Sequence, residues 1–373
     1  SMPADSRTLE EEGVVIPPTR MATGGELDRE LLERLINQMR HPQQRAADLR
    51  AQLAACRRGE VRVREFAERH GEPRYVEAAN AVLDYAERLA RDGVGSLSDG
   101  EFLAEDVLEA DAHGQPHDIT LKLAARVDGS EVVLDFSGSD LQHEGNLNCP
   151  LAVTESACFF AIRALVAPDA PACAGAWRPV TVIAPCGTIL NAEAPAAVAG
   201  GNVETSSRVA DLVMRAFGRA QGQGTMNNLT LGNDDFTHYE TFGGGQAGQP
   251  DAPGPSAVHV AMSNTLNTPI EALELEFPLR VHEYAIRRGS GGAGANPGGD
   301  GLIRDVEALT DMRYSLIAER RRHQPHGADG GGAGEPGADS IDGQPIPGKS
   351  VGKLKAGSRL RIETPGGGGF GSL

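Results

Sequence analysis

The chain has 373 residues, of which 40% are hydrophobic and 23% charged, a globular composition long enough for two or three domains. Its 52 acidic side chains outnumber the 35 basic ones, and the net charge of -17 argues against general binding to nucleic acid or to an anionic membrane. No stretch of about 18 apolar residues occurs, so we expect no membrane span. Nothing resembles a secretory leader, and the odd number of cysteines, five, favours free thiols over a disulfide framework. We therefore expect a cytoplasmic location.

A helical arm is predicted over residues 25–92. Pro42 suits the first turn of its second helix, because residues there need no backbone N–H donor. Gly71 and Pro73 end that helix, and a third helix ends near Asp92. The apolar stripe of the first helix is formed by Leu27, Leu31, Leu35, Ile36 and Met39.

From about residue 117 the hydrophobic period changes to two, which predicts strands. Asp128 and Gly129 lie between two alternating runs and predict the turn of a β-hairpin. A buried helix is expected over residues 154–166, with Thr154 as its N-cap. Further along, a short strand over residues 180–183 and a helix over residues 203–217 are expected.

After residue 220, short strands alternate with glycine-rich joints. The predicted strands cover residues 257–262, 280–287, 302–308 and 351–363. The elements together predict an α+β protein. A helical N-terminal arm with an extended first segment covers residues 1–115. A β-rich body with a few buried helices and a glycine-rich C-terminal tail covers residues 116–373.

The densest group of polar residues lies between residues 199 and 245. Small residues before the expected helix let backbone N–H groups approach a ligand. Amides and hydroxyls at this density suit a substrate rich in donors and acceptors, such as a cyclic amide. The alternative is that Asn202 caps the helix and the other amides form turns. The candidate substrate-binding residues are Asn202, Thr205, Gln223, Asn227 and Asn228.

Other kinds of site have weaker signals. No phosphate-binding loop of the Gly-x4-Gly-Lys-Ser/Thr type occurs, so we expect no nucleotide site in this chain. The histidines are scattered and the cysteines lack metal-ligand spacing, so no metal site is predicted. His259 alternates with apolar neighbours on a predicted strand, and Cys149 lies in a polar loop. Each is either a packed residue or a functional group.

Ordered motifs along essentially the whole chain resemble the hydantoinase B/oxoprolinase family. Two examples are Asp-Phe-Ser-Gly-Ser-Asp at 135–140 and Gln-Gly-Thr-Met-Asn-Asn at 223–228. The ending Glu-Thr-Pro-Gly-Gly-Gly-Gly-Phe-Gly at 363–371 is similar to the C-terminal signature of the family. The remaining motifs lie at 2–6, 11–13, 145–154, 199–205, 239–241, 264–269, 289–294, 298–301 and 320–322.

The resemblance implies an α+β fold and a hydantoinase A-like partner subunit that binds and hydrolyses ATP, which would explain why this chain lacks a phosphate loop. Together the subunits would open unreactive cyclic amides such as hydantoins, 5-oxoproline or lactams. An amide carbonyl is a poor electrophile, and phosphorylation of its oxygen makes a better leaving group. The resemblance also implies that the glycine-rich tail is ordered and closely packed.

One departure from the family concerns the region before Met2. Family members usually carry an upstream segment whose Asp- and His-bearing motifs resemble a divalent-metal site, and no residue here matches those motifs. We therefore expect a C-terminal fragment, one half of a split subunit or a degenerate homologue, with a separate N-terminal segment as a second partner.

The sequence thus predicts a B-type subunit of an ATP-dependent cyclic-amide hydrolase. The Asn and Gln side chains would orient the ring amide. Glu204 or Glu240 would be the general base for water, given a raised pKa in a closed site, and His259 is the third catalytic candidate. Two alternatives stay open: a subunit of an ATP-dependent ketone carboxylase, and a non-catalytic assembly or binding module.

Overall fold

The computed structural model describes residues 3–39, 42–112 and 115–373 and confirms the predicted α+β class. The helices are α1 (Leu9–Glu12), α2 (Arg29–Ile36), α3 (Pro42–His70), α4 (Glu72–Val94), α5 (Leu151–Val166), α6 (Ala174–Trp177), α7 (Ser206–Ala216) and α8 (Ile270–Glu276), with a π-helical turn at Gly201–Thr205. The strands are β1 (Ala22–Thr23), β2 (Glu26–Leu27), β3 (Gly100–Ala112), β4 (Gln115–Asp128), β5 (Glu131–Asp135), β6 (Val180–Ile183), β7 (Asn228–Gly232), β8 (Thr237–Glu240), β9 (Leu279–Arg287), β10 (Gly301–Ala308), β11 (Met312–Ile317), β12 (Ala338–Ile341), β13 (Gln344–Pro345), β14 (Lys349–Leu354) and β15 (Arg359–Glu363).

The helical arm lies close to its predicted limits of 25 and 92, since its helices begin at Arg29 and end at Val94, but Leu27 belongs to β2 and not to the first helix. Pro42 is the first residue of α3, and Gly71 separates α3 from α4. Gly71 has a φ of 86°, a left-handed conformation that glycine adopts without steric cost. The buried face of α2 differs from the prediction, because Leu32 and Ile36 are its buried residues. Packing against Ala46 of α3 sets that face.

A four-stranded sheet in the order β3-β4-β5-β6 begins the β-rich body. β4 and β5 form the predicted hairpin around Gly129, and β6 lies parallel to β5 where a strand was expected. β3 pairs with β4 along its whole length and was not predicted. Asp106 and Glu109 interrupt its apolar alternation, yet both carboxylates are buried.

α5 and α7 pack next to this sheet and complete the first core. α5 begins at Leu151, and its N-cap is Pro150, so the assignment of Thr154 as N-cap was wrong. Thr154 lies inside the helix, where its Oγ1 donates to the carbonyl of Leu190 at 2.7 Å. The core includes Leu121, Leu123, Leu134, Phe136, Cys158, Val209 and Val213.

Two further sheets share a second core in the C-terminal half. Their strand orders are β13-β12-β15-β10-β9 and β14-β11-β7-β8. β9, β10, β14 and β15 confirm strands predicted after residue 220. Residues 257–262 do not form a strand; Val258 makes one bridge to Gly244, and Ala257 and Ala261 have positive φ values.

The glycine-rich segments lie side by side in the C-terminal half. Gly367 donates its N–H to the carbonyl of Gly299 at 2.9 Å and accepts the N–H of Gly292 at 2.8 Å. A Cβ at Gly367 would lie 2.1 Å from the carbonyl oxygen of Gln246. Residues 366–369 are buried. The glycine-rich tail is therefore packed, as the resemblance implied.

This packing predicts opposite effects of two Gly→Ala substitutions. Gly367→Ala is expected to lower the free energy of unfolding by at least about 1–3 kcal/mol, because the new methyl group overlaps backbone atoms. Gly59→Ala in α3 is expected to raise it by about 0.5–1 kcal/mol, because nothing lies within 4 Å and alanine favours the helix. Urea denaturation measures both, and equal effects of the two would contradict the packing described.

The division of the chain after residue 115 stays a prediction. β3 lies before that point and pairs with β4 beyond it, so residues from both sides contribute to one sheet.

In the described ranges, no helix combines the length and the apolar character that crossing a bilayer requires.

Candidate functional site

The side-chain amides of Gln223 and Asn227 form one buried chain of hydrogen bonds. Asn227 Nδ2 donates to Gln223 Oε1 at 2.9 Å, and Gln223 Nε2 donates to the carbonyl of Phe242 at 3.2 Å. Arg321 Nη1 donates to Asn227 Oδ1 at 2.8 Å and pairs with Asp339, its Nε lying 2.8 Å from Oδ2. Since protein groups bind both side-chain amides, this series of hydrogen bonds fixes the conformation of residues 223–228.

A second series of hydrogen bonds runs from the interior to the surface through Glu204, Asn228 and Tyr239. Asn228 Nδ2 donates to Glu204 Oε1 at 2.9 Å, and the Tyr239 hydroxyl donates to Asn228 Oδ1 at 2.7 Å. Glu204 is 0% exposed and Tyr239 is 44% exposed. The π-helical turn carries Glu204, while the adjacent strands β7 and β8 carry Asn228 and Tyr239.

Burial raises the pKa of Glu204 to about 7. Its Oε1 accepts the N–H of Met226 at 3.1 Å as well as the Asn228 amide, whereas Oε2 has no hydrogen-bond partner among the residues that the structure describes. A carboxyl group with this pKa exchanges its proton near neutral pH. Burial, together with the charge of Glu204, raises the pKa of Tyr239 to about 12, so the Tyr239 hydroxyl stays protonated.

Glu240 has different surroundings at the end of β8. Its Oε1 accepts the N–H of Thr268 at 2.6 Å, and its Oε2 lies 3.4 Å from His238 Nε2 and 3.6 Å from Arg304 Nη2. Burial alone would raise the pKa of Glu240, but the hydrogen bonds from His238 and Thr268 and the charge of Arg304 lower it. The raised pKa expected of a general base is therefore found at Glu204 and not at Glu240.

His259 lies in a loop rather than on the predicted strand. Its Nδ1 contacts Ser263 Oγ, and its Nε2 lies 3.3 Å from Thr265 Oγ1. Burial lowers the pKa of His259, which keeps the imidazole neutral at pH 7. Both ring nitrogens thus have hydroxyl partners. Thr265 in turn bonds to Thr241, next to Glu240, through Oγ1 atoms 2.5 Å apart.

Asn202 and Thr205 make no hydrogen bond with the other predicted site residues. Asn202 is exposed in the π-helical turn and is not an N-cap; its carbonyl accepts the Ser206 hydroxyl at 2.7 Å. Thr205 is fully buried, and its Oγ1 donates to the carbonyl of Leu147 at 2.5 Å. The structure thus joins Glu204 with Asn228 and Gln223 with Asn227.

A buried network of ion pairs lies beside these two series of hydrogen bonds, and the sequence did not predict it. Asp106 Oδ2 lies 2.8 Å from Arg320 Nη2, and Asp106 Oδ1 lies 3.4 Å from Arg208 Nη1. Gln221 Nε2 donates to Asp106 Oδ2 at 2.7 Å, and Arg208 Nη2 lies 3.2 Å from Glu319 Oε2. Arg320 belongs to a motif noted in the resemblance, but no spacing in the sequence links it to Asp106.

The implied divalent metal has no fitting ligand set among the described residues. No group of three or more His, Cys, Asp or Glu side chains there is arranged to hold a metal ion. His323 instead pairs with Asp118 at 2.8 Å, and the backbone N–H of His326 donates to Gln221 Oε1 at 3.1 Å. We therefore derive no step that uses a metal bound by these residues.

The cysteine positions predict which thiols react. Burial raises the pKa of Cys149 to about 12, so a nucleophilic role for Cys149 is disfavoured. A thiol reagent such as dithionitrobenzoate is expected to modify Cys56 and Cys186, which are exposed, first in the native chain. Cys149 and Cys158 should react only after unfolding. Loss of a fast-reacting thiol in a Cys149→Ala variant would contradict this order.

A sequence model of the hydantoinase B/oxoprolinase family matches residues 1–373. The chain is 36% identical over 383 residues to an uncharacterised protein of Methanocaldococcus jannaschii, covering 100% of this chain and 67% of that protein. It is also 36% identical over 400 residues to 5-oxoprolinase 1 of Arabidopsis thaliana, covering 100% of this chain and 32% of that enzyme. The chain thus spans about a third of the plant relative.

Two solved structures share the fold. The ATP-dependent caprolactamase from Pseudomonas jessenii superposes with a TM-score of 0.88 at 24% identity, covering 99% of this chain and 68% of that one. Acetone carboxylase in its nucleotide-free form superposes with a TM-score of 0.85 at 15% identity, covering 98% of this chain and 58% of that one. At these identities the similarity supports the fold alone.

Proposed function

The chain belongs to the hydantoinase B/oxoprolinase family, and from that premise we propose that it is the B-type part of an ATP-dependent enzyme that hydrolyses a cyclic amide. The match over all 373 residues carries this proposal. The proposed partner is a hydantoinase A-like subunit that binds the ATP, since no Walker-type loop occurs in this sequence. The proposed location is the cytoplasm, which fits five free thiols.

Within this chain, we assign proton transfer to Glu204. Phosphorylation of the amide oxygen by ATP makes the ring carbon more electrophilic, and a base must then accept a proton from the attacking water. Of the two predicted carboxylates, only Glu204 has a raised pKa. Asn228 and Tyr239 connect it to the surface, so substrate and water would meet the chain at the half-exposed hydroxyl of Tyr239. The Tyr239 oxygen would take the proton of the water while its own proton passes to Asn228 Oδ1, and Asn228 Nδ2 would pass a proton to Glu204 Oε1. Asn228 would then be an imidic acid until the reverse transfers restore the amide.

The experiment that tests this function is a measurement of ADP release by this chain together with an A-type subunit, with and without the remaining part of a full-length relative supplied in trans. One arm contains hydantoin, 5-oxoproline or a lactam, and the other contains a ketone with bicarbonate. ADP release that depends on a cyclic amide supports the proposal. Release only with ketone and bicarbonate would make the protein a carboxylase subunit. No release despite a stable complex would favour a non-catalytic module.

A further inference from the structure

Most of α3 and the first half of α4 form a helical segment without a buried face. Ala46, near the start of α3, belongs to one small core, and Ala86 of α4 belongs to another. The structure describes every residue between these two anchors, and none of residues 47–85 is buried. We call residues 47–85 the helical elbow, because Gly71 separates its two helices. Since helices in proteins gain most of their stability from packing, the elbow has the character of a segment that packs on a partner.

Val63 and Phe66 form an apolar pair on one exposed face of the elbow. Each is 48% exposed, and residues three apart are neighbours on a helix surface. Arg62 and Arg69 flank the pair along the same face. Arg62 also lies 2.9 Å from Glu65, but an exposed ion pair of this kind contributes little and exchanges readily. The face is therefore apolar at its centre and positively charged at its edges.

Helix α8 presents the opposite combination of charge around an exposed apolar side chain. Leu275 is 89% exposed, and Ala272 is exposed on the same face. Glu271 and Glu276 are exposed beside them and give this face negative edges. Leu266, which lies just before α8, is 98% exposed as well. We call this surface the α8 face, and it matches the elbow in hydrophobic character and is opposite to it in charge.

The distribution of charge selects the occupant of the elbow. Helix α3 contains seven arginines and four acidic residues, whereas the whole chain has a net charge of -17. Pairing of two elbows would place arginines against arginines, and like charges across an interface oppose association. A second copy of this chain offers an acidic surface to the elbow, and its α8 face combines acidic edges with an exposed leucine.

We propose that Val63 and Phe66 of one copy of this chain dock on Leu275 in the α8 face of a second copy. The reciprocal contact, made by the elbow of the second copy on the first, gives a dimer with two-fold symmetry. The arginines of each elbow then face the glutamates of the other copy. The contact uses none of the predicted site residues, so it holds whichever reaction the protein performs.

Sedimentation velocity of the full chain at concentrations up to about 100 μM, which detects dissociation constants in the micromolar range, tests this contact. We expect a species of twice the 39.2 kDa mass of the chain. Phe66→Asp and Leu275→Asp each place a carboxylate at the centre of the contact and should raise the dissociation constant at least about 30-fold. Leu141→Asp, at a leucine that is 75% exposed outside both faces, should leave it unchanged. A wild-type chain that stays monomeric would overturn the proposal.

An equimolar mixture of Phe66→Asp and Leu275→Asp identifies the two surfaces. The first variant keeps an intact α8 face and the second keeps an intact elbow, so one of the two contacts can form between them. The mixture should therefore associate more tightly than either variant alone, which also shows that both variants are folded. If Leu275→Asp dimerised as well as the wild type, or if the mixture bound no more tightly than its components, the elbow would not dock on α8.

The charged edges predict that dimerisation depends on salt. Raising the sodium chloride concentration from about 0.05 to 0.5 M shortens the screening length and should raise the dissociation constant several-fold. Arg69→Glu should raise it at low salt and remove most of this salt dependence, because it replaces a positive edge of the elbow with a negative one. A dissociation constant that neither salt nor Arg69→Glu changes would refute the pairing of arginines with glutamates.

Discussion

Replacement of Asp106 by alanine is expected to lower the free energy of unfolding by about 3–5 kcal/mol, because it leaves two arginines buried without their shared partner. Arg208 and Arg320 are both 0% exposed, and they come from α7 and from the segment after β11, whereas Asp106 lies on β3. Burial alone would raise the pKa of Asp106, but the two guanidinium groups hold it well below its ordinary value. The carboxylate therefore joins the first core to the C-terminal sheets in its charged form.

Urea denaturation of the whole chain measures this effect, and the neighbouring Glu105 provides the control. Glu105 is exposed, and its only ion pair with a described residue is with Lys122 at 3.5 Å, on the surface. Glu105→Ala is therefore expected to change the free energy of unfolding by less than about 1 kcal/mol. If Asp106→Ala cost no more than Glu105→Ala, the buried network would not hold the two halves together.

Glu204→Gln is expected to reduce cyclic-amide turnover by the reconstituted enzyme about 10²–10⁴-fold, the range for loss of a general base. Glutamine keeps an oxygen that can accept the N–H groups of Met226 and Asn228, so the local structure should persist. Tyr239→Phe removes the hydroxyl group that forms the exposed end of this series of hydrogen bonds and should also reduce turnover. Unchanged turnover in the Gln variant would remove Glu204 from the mechanism.

The same variant has an expected signature in stability, which separates lost chemistry from lost folding. Folding raises the pKa of Glu204 from 4.5 to about 7, so the folded chain binds the proton more tightly than the unfolded chain. The stability that Glu204 contributes is complete below pH 4.5 and is lost as pH rises to about 7, a change of about 3 kcal/mol. The wild type should therefore lose stability relative to Glu204→Gln across this window, and a constant difference in denaturation midpoints would contradict the raised pKa.

Local sequence patterns predicted those elements whose side chains follow a regular period. The turn at Gly129, the start of α3 at Pro42 and the break at Gly71 depend on backbone preferences of single residues, which distant contacts do not change. β3 was missed because its alternation includes Asp106 and Glu109, which resemble solvent-facing residues until their buried partners are known. Thr154 looked like a cap because a preference for N-caps does not show where a helix begins.

The sequence by itself determined the family, the α+β class and the cluster of amides and carboxylates between residues 199 and 245, because ordered motifs and hydrophobic periods are local properties. Only the tertiary structure decided which members of that cluster meet. It distinguished the two carboxyl groups: Glu204 is fully buried and its pKa is raised, whereas donors surround Glu240 and lower its pKa. It also brought Asp106, Arg208 and Arg320 together across more than two hundred residues of chain. A pKa or a buried ion pair depends on solvent exclusion and on distances between groups remote in sequence, so no local pattern can encode it.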